Sequence, residues 1–391
     1  MRMRKATAAL VGLLLAGVAA TPAHAETIRS KQWHLDAMKA DDIWKISKGK
    51  GVTVAVIDTG VARIPELEGR VLPGKNFAAP SYEGDERTDY GHHGTSMAAI
   101  IAGNGKGPGG ADSAFGLAPD AKILPLRIDR GGDGGPIFKS MIEAIRYAAD
   151  SDAKILNISI VGDGTSEDLS KAVRYALGKG KLIFAGAGND GDTSNEIYYP
   201  AATPGVVGVA AVDPDGAATK ESQHNAFVDL SAPGVNIVTG CDGGTGLCNS
   251  HGTSDATALA SASAALLWSA HPDWTNNQVL RVLLNTAGKP EGVPRNDYVG
   301  YGVVRPRIAV PNPGDPGPAD VFPLPDLAAA DAKNSPAPSV STGGKKPESG
   351  APQAEAKEDG SSPVLWIGLG LGACVLIGGA VVAVVVRRRN A

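Results

Sequence analysis

The stretch that most constrains the fold is DATALASASAALLWS, residues 255–269, which contains no Gly or Pro and is small on every side. A surface helix shows one apolar stripe. A helix that is small all round can be approached closely from several directions, which predicts a buried helix packed against a sheet. His251-Gly252-Thr253-Ser254 stands at its amino end, where unpaired N–H groups and the helix dipole favour negative charge. A serine there suits a nucleophile whose oxyanion meets ready-made donors. Taken alone, the stretch suits a plain Thr/Ser N-cap on a core helix better.

The rest of the body supplies the sheet. Residues 51–57 form a β-branched run ending at Asp58-Thr59-Gly60, and residues 121–127, 153–160, 182–187, 206–212 and 227–230 read as further strands. Residues 137–149, 169–178 and 276–286 read as helices, residues 26–50 as a short helical lead-in, and His93-Gly94-Thr95-Ser96 leads into a second small-residue helix. This alternation predicts an α/β fold with a mostly parallel sheet between two layers of helices. Asp58 ends its strand where such proteins place chemistry, although an acidic residue also simply ends strands. The pair His92-His93 reads as metal ligands or as a polar loop. No other Cys/His ligand rhythm accompanies it, so neither a metal nor a cofactor is expected.

Both ends differ from the body. Residues 1–25 have a basic start, an apolar stretch and Ala23-His24-Ala25, the pattern of a secretory signal, which puts the start of the mature chain at Glu26. Residues 311–363 hold eleven of the 27 prolines and lack periodicity, predicting a disordered linker after a globular part ending at 310. Residues 364–386 carry no charge and are long enough for a transmembrane helix. Arg387-Arg388-Arg389 then places the tail, residues 387–391, in the cytoplasm and the body outside. Arg2, Arg4, Lys5 and these three arginines supply six positive charges against a total of −4, leaving −10 between them. An acidic body without a basic stripe excludes nucleic acid as a partner. Cys241 and Cys248 close a Gly-rich loop, and in an oxidising compartment they are expected to form a disulfide.

Read in order, Asp58 in VAVIDTG, His93 in HGT, Asn189 in GAGNDG and Ser254 in GTS resemble the subtilisin-like serine proteases. The resemblance runs from about Trp33 to Ala309 and includes Asn157-Ile158-Ser159, Tyr199-Pro200-Ala201 and Ala232-Pro233-Gly234. The layout of signal, protease domain at 26–310, Pro-rich linker and membrane tail is similar to the mycosins, membrane-anchored subtilases associated with type VII secretion. The resemblance implies Ser254 as nucleophile, His93 as its base, Asp58 as the group that orients His93, and Asn189 as an oxyanion donor. It also implies an extended peptide flanked by Ser159, Ile160 and Val161 on one side and by Ala187 and Gly188 on the other. Protein or peptide substrates, a type VII secretion complex and a single-pass membrane location follow from it; a catalytically idle scaffold of such a complex is the alternative. Three positions depart from the family pattern. Ala258 stands where Pro is common, Asp255 where an apolar residue is usual, and Val161 where Gly is usual. His92 is a bystander by this reading.

Overall fold

In the computed structural model, which describes residues 26–129 and 137–334, seven strands build one sheet: β1 (Thr53–Asp58), β2 (Lys75–Asn76), β3 (Lys122–Arg127), β4 (Ile155–Ile158), β5 (Leu182–Gly186), β6 (Val207–Val212) and β7 (Leu230–Pro233). Their order is β7-β6-β5-β4-β1-β3-β2, and every neighbouring pair is parallel. The register sets Asp58 beside Arg127 and Ile158 beside Ala185, so the carboxyl ends of the central strands reach the same edge.

The main helices are α1 (His93–Ala102), α2 (Ile137–Asp150), α3 (Glu167–Gly178), α4 (Thr253–Ala270), α5 (Asn276–Thr286) and α6 (Pro325–Asn334). Alternation along the strands sends Val54, Val56, Ile123, Ile155 and Phe184 to one face, where α1, α4 and α5 pack. It sends Ala55, Ile57, Leu126, Leu156 and Ile183 to the other, against α2 and α3. Three layers result, as the alternation of elements predicts. The α4 helix is buried from Thr253 to Trp268. Its hydroxyls are satisfied inside: Thr257 and Ser263 donate to Thr253 O and Leu259 O, and Ser261 donates to Asn157 Oδ1 at 3.0 Å. Small polar residues can therefore be buried here without orphaned groups. A reciprocal Thr275/Gln278 capping box starts α5 at Asn276.

Two expectations are corrected. The last strand is Leu230–Pro233, not 227–230. Arg295 Nη2 donates to Asn225 O, Ala226 O and Val228 O, so this backbone wraps a guanidinium instead of joining the ladder. The folded part also continues past residue 310. Arg281 Nη1 donates to Pro316 O and Pro318 O, Gln278 Nε2 to Gly317 O and Thr275 Oγ1 to Ala319 O, while Leu324 is buried and α6 follows. Proline lacks a donor but keeps its carbonyl, so a Pro-rich strap needs only donors from a neighbouring helix, and α5 provides them. The expected signal sequence, linker beyond 334, transmembrane helix and tail fall outside the described residues. Among the described residues, no helix is long and apolar enough to cross a membrane.

Candidate active site

Asp58 ends β1 fully buried, and its Oδ1 accepts hydrogen bonds from Thr59 N and His93 Nδ1, both at 2.7 Å. His93 opens α1, directly after His92 at φ 58°. The approach of α1 to β1 requires Gly94, because a Cβ there would meet Gly60 O at 2.2 Å and Asp58 Cβ at 3.0 Å. A buried carboxylate on Nδ1 fixes the imidazole tautomer and leaves Nε2 as the proton-accepting nitrogen.

The amino end of α1 is held by a residue that motif reading passes over. Asp89 Oδ1 accepts from Thr59 Oγ1 at 2.8 Å, and its Oδ2 accepts from Thr95 N at 2.9 Å and Thr95 Oγ1 at 2.6 Å. One carboxylate thus ties the turn after Asp58 to the turn after His93, and its charge suits a helix amino terminus. An acidic residue four before a catalytic-looking histidine was the only available signal.

Ser254 is the second residue of α4 and 9% exposed, with its Oγ donating to Ser159 O at 3.1 Å. Asn157 Nδ2 donates to Ser159 Oγ, which in turn contacts Ser254 O, so the end of β4 and the start of α4 are cross-tied. On the other flank Asn189 follows β5, and its Oδ1 accepts from Thr253 N at 2.9 Å. Holding Oδ1 this way leaves the amide N–H₂ as the free donor end. Gly188 N donates to Thr253 Oγ1 at 3.2 Å. A side chain at Gly188 would strike Gln223 Oε1, 1.4 Å from an ideal Cβ, so the backbone at this turn must be bare.

The structure therefore brings Asp58 and His93 together and sets Ser254 between Ser159 and the Asn189 turn. Ile160 and Ala187 are buried and Val161 is half-buried, beyond the ends of the neighbouring strands β4 and β5. His92 is more engaged than a bystander: its Nδ1 meets Asp242 Oδ1, and this hydrogen bond raises its pKa. Asp242 lies between Cys241 and Cys248, whose sulfurs are bonded at 1.98 Å, at the head of the hairpin β8 (Ile237–Gly240) and β9 (Leu247–Ser250). This hairpin runs into the loop that leads to Ser254.

Asp255 follows Ser254 in the first turn of α4. It is fully buried, Ser250 Oγ donates to its Oδ2 at 3.1 Å, and its Oδ1 has no hydrogen-bond partner. Burial pushes its pKa up to about 6, opposed by the Ser250 hydrogen bond and by the charge of His93. Loss of water outweighs the helix dipole here.

The profile of the Subtilase family, peptidase S8, matches residues 49–302. The thermophilic serine proteinase of Bacillus sp. (strain AK1) is 36% identical over 273 residues, covering 69% of this chain and 64% of that protein. The chain thus spans less than two thirds of that curated relative. MycP1 from Mycobacterium smegmatis superposes with a TM-score of 0.65 at 28% identity, covering 77% of this chain and 89% of that one. A MycP1 structure described as a serine protease and an essential component of the type VII (ESX-1) secretion system gives 0.63 at 31% identity, covering 73% and 89%.

Proposed function

The chain belongs to the subtilase family, and on that premise we propose that it is a serine endopeptidase working outside the cytoplasm from a single-pass membrane anchor. Ser254 Oγ attacks the scissile carbonyl carbon while His93 Nε2 takes the hydroxyl proton. Asp58 stabilises the imidazolium that forms. The carbonyl oxygen becomes an oxyanion met by the backbone N–H of Ser254 and the side-chain amide of Asn189; one such donor is worth about 10²–10³ in turnover. The oxyanion then collapses, the amine leaves with the proton from His93, and water activated by the same histidine releases the acyl group.

The observation that carries this reading is the 2.7 Å contact between His93 Nδ1 and a fully buried Asp58. A buried carboxylate aimed at an imidazole is costly unless paired. His93 opens α1, Ser254 lies in the first turn of α4, and both helices pack on the same face of the sheet, which supports the reading. The anchor rests on residues 364–386 with the arginines that follow them. The MycP1 relative, described as a component of a type VII secretion system, supports such a complex as the partner. Ser159, Ile160 and Val161 on one side and Ala187 and Gly188 on the other hold the acyl half of the substrate.

Reaction of the full chain with a fluorophosphonate probe tests the proposal. Wild type should label at Ser254, and Ser254→Ala should not label while keeping its circular dichroism. The loss in peptide hydrolysis should be about 10⁴–10⁶-fold. Wild type that is folded but inert would favour the idle scaffold.

A further inference from the structure

The hairpin of β8 and β9 connects the two helices that carry the chemistry. Its first strand is tied to α1, where Thr239 Oγ1 donates to Ser96 O at 3.3 Å. Its second strand ends at Ser250, shortly before Thr253 opens α4. Between the strands Cys241 and Cys248 are bonded, and they enclose DGGTGL, with Gly243, Gly244 and Gly246 all at positive φ. Glycine loses more freedom on ordering than any other residue, so an open chain of this composition is a poor support for a side chain. The disulfide closes it into a ring, across which Cys241 N donates to Gly246 O at 3.0 Å.

The ring presents Asp242 to His92. Asp242 Oδ1 meets His92 Nδ1, and the turn lies along the imidazole, where an ideal Cβ at Gly243 would come within 3.8 Å of Cε1. This hydrogen bond raises the pKa of His92 against some loss of water, and the charges of Asp242 and Asp89 add to it. The charged, stronger form of the bond is thereby favoured. The backbone of His92 is constrained as well. It lies at φ 58°, where a residue other than glycine is uncommon. Its carbonyl accepts from Ser96 N at 3.1 Å and from Ser96 Oγ at 2.9 Å, which forms the first turn of α1. A side chain gripped from outside, a left-handed backbone and a helix start thus coincide one residue before His93.

We propose that His92 and Asp242 are positioning residues: through them the disulfide-closed loop grips the amino end of α1 and fixes His93 relative to the segment that leads to Ser254. The inference rests on the serine-protease reading above. The side chain of His92 is 51% exposed and that of Asp242 32%. A pair so open to solvent is worth a factor of about five at most, and it can pass no more than that to the transition state.

Steady-state hydrolysis of a short peptide by the full chain tests the inference. Asp242→Ala, at a residue outside the left-handed region, should lower kcat about three- to fivefold with KM unchanged. It should slow fluorophosphonate labelling of Ser254 by the same factor. His92→Ala should do likewise, and the two together should be no worse, because either change breaks the same contact. His92→Asn should restore kcat: its Nδ2 is bonded to Cγ as Nδ1 is in histidine, and asparagine tolerates a left-handed φ. In a chain carrying Cys241→Ser and Cys248→Ser, His92→Ala should cost little further, since the loop no longer holds Asp242 in place. A pair that only stabilises the fold would lower the melting temperature and leave kcat and the labelling rate at wild type. That result overturns the inference, as do losses that add, a His92→Asn chain no better than His92→Ala, or a His92→Ala loss undiminished without the disulfide. Each of these leaves the protease reading intact. Absence of labelling in wild type overturns both.

Discussion

Replacing Asp255 with Asn should change both stability and the pH dependence of catalysis, in directions fixed by its burial. The carboxyl is lifted from 3.8 to about 6, mainly by removal from water. A shift of that size amounts to about 3 kcal/mol against the ionised form. Below about pH 4 the group is protonated in both folded and unfolded states, so wild type carries no penalty. Between about pH 4 and 6 the unfolded chain ionises first and the folded state loses ground. Above about pH 6 the full penalty is present. An amide at this position does not ionise and carries no such penalty, so the gain in melting temperature of Asp255→Asn should be near zero at pH 4 and largest at pH 8. The kinetic consequence has the same origin. The charge of His93 favours ionised Asp255, so by reciprocity the Asp255 anion favours protonated His93. In the proposed mechanism His93 must be neutral to accept the Ser254 proton, so there the anion holds the acidic limb of kcat/KM at higher pH. At an effective dielectric near 20, a charge about 8 Å away contributes roughly 2 kcal/mol, or at most about 1.5 pH units. The limb belongs to the coupled pair, not to His93 alone. In the variant it should move down by less than this limit, more at low salt than at high. Superimposable limbs at low salt, or a melting gain independent of pH, would refute the argument.

Three further outcomes are expected. Cys241 and Cys248 close so short a ring that their bond contributes about 2.5 kcal/mol in the chain-entropy account; mass spectrometry of protein purified without reductant should find no free thiol at either position. Val161→Gly should widen the acyl-side cleft, raising cleavage after Phe relative to Ala by the equivalent of about 1–3 kcal/mol, read as a ratio of kcat/KM on matched peptides. External protease on intact cells should release the domain by cutting within residues 335–363, because residues 311–324 are held by α5 and residues 325–334 form α6, tied by Asp326 to Gly205; Arg281→Met, which removes the donors to Pro316, Pro318 and Val321, should open 311–324 to cleavage as well.

The order of strands and helices was legible because burial on both faces leaves a continuous β-branched run such as TVAVI, and a helix buried all round leaves ALASASAA. What composition hid was long-range hydrogen bonding. A Pro-rich strap and a free linker have the same letters, and donors some forty residues earlier, Thr275, Asn277, Gln278 and Arg281, distinguish them. Residues 227–230 read as a strand, but Arg295 claims the carbonyls of Asn225, Ala226 and Val228 and the strand starts only at Leu230. At the site, Asp58, His93, Asn189 and Ser254 stood out because each sits in a turn of small residues. Asp89 and Asp242 did not, since surface loops are full of carboxylates and nothing local marks the two that hold the turns around His92 and His93.

The sheet order explains why the chemistry is scattered along the chain yet local in space. β1 lies between β3 and β4, and β4 lies beside β5, so the residues following β1, β4 and β5 meet at one edge. Asp58, Ser159 and Asn189 occupy those three ends. The fourth contribution must come from a helix pointing its amino end at the same edge. A helix following the last parallel strand and crossing back over the sheet has that direction, which accounts for the late position of Ser254. Side chains beneath such a helix must be small for its terminus to reach the strand ends. Bulk at Gly186, whose Cβ would lie 3.0 Å from Thr253 Oγ1, would lift Ser254 away from Ser159. The small-residue pattern of α4 and the bare turns beneath it are thus a geometric condition of the site as much as a device of the core.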